Sequence, residues 1–134
     1  MILSFSVFKE KIESGDKCQT IRKYSEGQYK RFLNCWNKRE TTGRYNLFWH
    51  NPRNGGTRIK DVIPTDKPII IKFDKNNSWI YVKEPSGIWL PMSWEYIKQT
   101  IFDDGFILKS EMFDWFFKEY GEKMFTEEFM VIRW

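Results

Sequence analysis

No alanine occurs anywhere in the 134 residues of this chain. Protein interiors are packed to nearly crystalline density. Without that small filler, core volume must come from large side chains, and the chain supplies 12 Phe, 7 Trp and 6 Tyr. Most rings are therefore needed inside, and an aromatic residue here reads first as core and only second as a ligand contact. The length fits a single domain over residues 1–134, able to bury a continuous core without disulfides or a structural metal.

Charge narrows the partners. The formal net charge is +4, compatible with a polyanion but not demanding one. Its distribution says more. Basic residues crowd the segment from Lys17 to Lys60, opposed there only by Glu26 and Glu40, whereas the last third leans acidic. A basic face built from the first half is expected. No run approaches the roughly 18 to 20 apolar residues of a membrane span, and Met1 to Lys9 lacks the pattern of a signal peptide. Cys18 and Cys35 have no metal-type spacing, and His50 is the sole histidine. Separate reduced thiols in a cytoplasmic protein, with no metal and no cofactor, are the expectation.

Local patterns predict the elements. Strands are expected over Ile2–Ser6, Lys17–Arg22, Arg44–His50, Arg58–Ile63, Pro68–Phe73, Ser78–Lys83 and Phe129–Trp134. A helix is expected over Val7–Ser14, stopped by Gly15. Gln28–Trp36 reads as a short helix or a loop turn. Ser93 is expected to cap a helix from Trp94 to about Phe102, and Ser110 a second one to Tyr120. This order argues for a mixed α+β domain around a small curved sheet or barrel.

The chemistry concentrates in Gly15-Asp16-Lys17-Cys18-Gln19-Thr20-Ile21-Arg22. In an extended chain Thr20 and Arg22 share one face, and Lys17, Gln19 and Ile21 the other. A bulge or twist after Gly15 would bring Lys17 to Thr20. Ammonium, hydroxyl and guanidinium would then meet at the mouth of a sheet, where they bind a phosphate or activate a nucleophile. The bland alternative is a solvated strand edge.

The run Leu3-Ser4-Phe5, then Phe8-x-x-Lys11-Ile12-x-Ser14-Gly15-x-Lys17-x-x-Thr20-Ile21-Arg22, resembles the ASCH domain (activating signal cointegrator homology). The turn Asp103-Asp104-Gly105-Phe106, the helix with Phe113, Trp115 and Phe116, and the closing Phe129-x-Val131-Ile132-x-Trp134 extend the resemblance over the whole chain. It implies a PUA-like mixed β-barrel of roughly five to six strands with flanking helices. It also implies RNA or a modified nucleoside as partner, held in a cleft beside the Lys17-x-x-Thr20-x-Arg22 segment.

Some ASCH proteins are amidohydrolases that deacetylate N4-acetylcytidine with a Lys, a Thr and a Glu. Carried over, Thr20 becomes the nucleophile and Lys17 its proton acceptor. A lysine with an ordinary pKa of about 10.4 must be desolvated or placed near another cation to do this. Asp104 is the candidate acid, with Asp103 next. Either is one methylene shorter than Glu. A few family members are ribonucleases.

Arg22, Tyr24 and Arg53 are the candidate substrate or RNA contacts. Trp36, between the basic pairs Lys30-Arg31 and Lys38-Arg39, reads as core or as a base-stacking ring. His50 reads as a half-buried strand-end residue. Two classes of function follow: a binding module for RNA or a modified nucleotide, and an enzyme on the same cleft. Binding leads, because it needs only charge and shape.

Overall fold

The computed structural model describes residues 1–134. In chain order the elements are β1 (Ile2–Phe5), α1 (Lys9–Ser14), β2 (Gln19–Lys23), α2 (Glu26–Asn37), β3 (Tyr45–Trp49), β4 (Thr57–Val62), β5 (Ile69–Asp74), β6 (Trp79–Lys83), β7 (Trp89–Pro91), α3 (Trp94–Asp103), α4 (Lys109–Tyr120) and β8 (Phe129–Arg133). The result is an α+β fold with two sheets.

The smaller sheet has the order β1-β3-β4, and the larger β2-β8-β5-β6-β7. Only β1 and β3 run parallel. That pairing needs a crossover, and α1, β2 and α2 all lie on it. The ladders do not close the two sheets into the barrel of five to six strands implied by the resemblance. The chain has eight strands, and β1 and β2 each end a sheet.

Two cores result, both built from large residues. One joins Ile71, Phe73 and Ile80 to Ile97, Ile101, Met112 and Phe116 of α3 and α4. The other joins Leu3, Phe5, Tyr45 and Leu47 to Ile12 and Phe32 of α1 and α2. β8 belongs to both. Phe129 and Val131 enter the first core, and Met130 and Ile132 the second. Alternation along a strand delivers successive side chains to opposite faces, and here both faces are dry.

Several local expectations shift. α2 is a regular helix, started by Ser25, whose hydroxyl accepts the Gln28 N–H. Ser93 accepts the Tyr96 N–H and starts α3. Ser110 does not cap α4. The helix begins two residues earlier than that cap would set, at Lys109, with Leu108 at the cap position. β7 is a strand the sequence pattern did not announce, because its three residues are too few to set up a period of two. Phe32 points inward and is fully buried, which leaves Lys30-Arg31 of α2 and Lys38-Arg39 just past its end flanking a packed ring. No helix is long and apolar enough to cross a membrane.

Phe73 makes edge-on or tilted contacts with Phe113, Phe116 and Phe129. Replacing Phe73 by Ala should lower the unfolding free energy by about 3–5 kcal/mol, read from chemical denaturation followed by tryptophan fluorescence.

Candidate functional site

A pocket of about 330 Å³ opens between the unpaired edges of β1 and β2. The corner between α3 and α4 forms its floor, and what fixes that corner is a set of three captured carbonyls. Cys18 N–H donates to the Asp103 carbonyl at 2.9 Å. The Lys17 ammonium donates to the Asp104 carbonyl at 2.7 Å, and the Lys11 ammonium to the Gly105 carbonyl at 2.6 Å. A helix end leaves just such carbonyls without partners. Here α1 and the approach to β2 satisfy them.

Gly105 is required at this corner. Its φ is +101°, and a Cβ there would sit 3.3 Å from the Phe8 ring. Phe8 itself adopts a left-handed backbone with φ 62°. Its ring packs edge-on against Phe106, with the ammoniums of Lys11 and Lys17 over it. A bulky residue in that conformation carries strain, and it lines the pocket.

Lys17 lies just before β2, outside the strand's alternation. Gly15, at φ 87°, ends α1, and the Lys17 N–H turns back to the Lys11 carbonyl. This break frees Lys17 to reach the hollow alongside Thr20 and Arg22. Besides its bond to the Asp104 carbonyl, its Nζ lies 3.4 Å from Asp104 Oδ1. Both residues are almost wholly buried, at 3% and 5% exposure. Burial pushes the Lys17 ammonium down from the lysine range, a shift that Asp104 restrains. Burial likewise pushes the Asp104 carboxyl up to about 6, a shift that Lys17 and Gln19 restrain.

A second polar layer stands behind this pair. Arg133 Nε donates to Gln19 Oε1 at 2.8 Å. The Gln19 amide nitrogen must then face the other way, where it donates to the Thr100 carbonyl at 3.0 Å and, at the long limit of 3.5 Å, to Asp104 Oδ1. Asp103 lies instead 3.7 Å from Arg133 Nη2. The two neighbouring aspartates are thus divided, with Asp104 on the pocket and Asp103 on the arginine behind it. The Cys18 thiol is pushed up by burial and by Asp103, the reverse of an activated cysteine.

Lys17, Thr20, Arg22 and Asp104 therefore line one hollow. Tyr24 and Arg53 do not. Tyr24 follows the end of β2 and packs on Tyr29 and the second core. Arg53 is exposed on a 3₁₀ turn, Pro52–Asn54, whose first N–H is held by the Asn51 side chain. His50 is exposed rather than half-buried, with its ring beside Trp49. Trp36 is faced by the Arg39 guanidinium at 3.7 Å. The aromatic walls are Phe5, Phe8, Phe106, Trp115 and Tyr120, to which the sequence pattern assigns no binding role. No group of three or more His, Cys, Asp or Glu side chains comes together as a metal would need.

Comparison with protein-family models, curated proteins and solved structures finds no match. The functional reading rests on the residues of the pocket.

The raised Asp104 pKa has a testable sign. The folded chain holds a proton that the unfolded chain releases between pH 3.8 and about 6. Stability from this group is full below the lower value and is lost as pH rises through the upper one. The stability advantage of the native chain over Asp104→Asn should shrink as pH rises across that window. Paired urea unfolding series at pH 4, 5, 6 and 7 would measure it, and a constant gap would contradict the burial of an ionising Asp104.

Proposed function

We propose that this chain is an ASCH-type, PUA-like domain that holds a modified nucleoside, free or within RNA, in the pocket between β1 and β2. On this reading the two sheets, whose cores both draw on β8, are the halves of a pseudo-barrel, and the gap between β1 and β2 is its opening. The observation that carries the reading is the convergence of Lys17, Thr20, Arg22 and Asp104 on one ring-walled hollow. Its volume of about 330 Å³ is at the small end for ligand sites, suited to a single nucleoside rather than a long groove. Aromatic walls suit a flat base, since ring-on-base stacking is worth roughly 1–3 kcal/mol. The Lys17 ammonium is engaged by Asp104, so it serves as a polar anchor inside the hollow and not as a phosphate clamp.

A specific observation also favours the enzyme reading, deacetylation of N4-acetylcytidine. Thr20 and a lysine with a lowered pKa line the same hollow. Thr20 Oγ would attack the acetyl carbonyl while its proton passes to neutral Lys17. Lys17 would then return that proton to the departing N4 of cytidine, leaving acetyl-Thr20. Water would release acetate and restore the hydroxyl. Asp104 holds the Lys17 side chain in place. A ribonuclease has no comparable support in this arrangement.

Titration of N4-acetylcytidine, followed through the fluorescence of Trp115 in the pocket wall, tests binding. Chromatography of the same mixture tests turnover. The expected result is saturable binding with release of cytidine, and loss of turnover by at least about 100-fold in Thr20→Ala with binding kept. Binding without turnover would leave a binding module. No binding of N4-acetylcytidine or of RNA containing it would remove the nucleoside reading.

A further inference from the structure

Arg22 is half-buried in the pocket wall and forms no ion pair. Its Nη2 donates to the Ser4 carbonyl at 2.7 Å, across the gap between β2 and β1. Its guanidinium lies 5.1 Å from the centre of the Phe5 ring. That single hydrogen bond uses one of the five N–H donors of the group. Burial is the main influence on its protonation and lowers it from the arginine range, and the Asp104 carboxylate opposes that shift more weakly.

The charges of the pocket do not cancel. Lys17 and Asp104 neutralise one another. Lys23, at the rim, is paired with Glu127 at 3.6 Å. Arg22 remains as one uncompensated cation on a partly desolvated wall. Removing a cation from water without a counter-ion is unfavourable, and a bound anion recovers that cost. The planar fork of free N–H groups matches the oxygens of a phosphate.

Resting on the nucleoside reading above, we infer that the ligand is a phosphate ester of a nucleoside, with its base against the aromatic wall and its phosphate on Arg22. A free 5′-monophosphate and a phosphodiester within an RNA strand offer this chemistry alike.

Calorimetric titration distinguishes them. The probes are N4-acetylcytidine, its 5′-monophosphate, a single-stranded RNA octamer carrying one N4-acetylcytidine, and inorganic phosphate. The native chain should bind the monophosphate at least tenfold more tightly than the nucleoside. Affinity for the monophosphate should fall with salt as expected for about one phosphate contact. Arg22→Gln should erase that preference, lowering affinity for the monophosphate by at least tenfold more than affinity for the nucleoside. An octamer tighter than the monophosphate assigns the phosphate to RNA, and a weaker one to a free nucleotide.

Equal affinity of the native chain for nucleoside and monophosphate overturns the inference and leaves the nucleoside reading intact. So does an equal loss for both ligands in a folded Arg22→Gln. Binding of inorganic phosphate alone, abolished in Arg22→Gln, keeps the anion site and overturns the nucleoside reading. Binding of none of the four probes overturns both. The comparison within the native chain decides the matter even if the variant does not fold.

Discussion

A buried ammonium held by both the carbonyl and the carboxylate of one residue is the contact on which the pocket depends. Lys17 reaches Asp104 twice, and through it β2's approach is tied to the corner between α3 and α4. Such a pair is a poor source of stability. Desolvation offsets much of the attraction, and apolar replacements of both partners are often neutral or better. Breaking it one-sidedly is different, since an unpaired buried charge costs roughly 3–5 kcal/mol. The pair therefore locks geometry more than it stabilises the fold. It brings an amine, a hydroxyl and a carboxyl together in a place where water is scarce.

The hollow exists because two sheet edges face one another without pairing. Unpaired edges expose donors and acceptors that other chains can recruit. Between β1 and β2 the gap is spanned by a side chain, Arg22 on the Ser4 carbonyl, instead of a ladder. A ladder there would have closed the space. The strained Phe8 and the carbonyls captured by Lys11, Lys17 and Cys18 hold the wall and floor in place around it.

Much of this is legible in the sequence, for identifiable reasons. The alternation of Ile2–Phe5 and the apolar run Ile69-Ile70-Ile71 announce strands, and Gly15 and Ser93 mark helix limits through backbone chemistry that needs no tertiary context. The union of Lys17 with Thr20 was legible only as a condition, a turn after Gly15, which the structure meets by starting β2 at Gln19. Tyr24 and Arg53 stand apart from the hollow, because nearness in sequence to a site, or positive charge on a loop, says nothing of where a chain leads after its strand ends. Gln19 and Arg133 were overlooked, although each is a polar residue in an apolar strand pattern, the kind that burial obliges to find a partner. Sequence periodicity identifies faces. It does not say which faces of distant elements meet, and the ring-walled hollow is made by such a meeting.

β8 has no wet side, and that alters what keeps it aligned. In a strand with one solvated face, slipping by a single residue exposes apolar side chains and is self-correcting. Phe129 to Ile132 would stay among greasy neighbours after such a slip. Arg133 supplies the missing penalty. The residue is 6% exposed, and its guanidinium meets Gln19, Thr100 and Asp103 only in the observed alignment, opposite Gln19. One misplacement would strand a cation among hydrocarbons. A single buried charge thus acts as an index mark for a strand that hydrophobicity alone would leave free to slide.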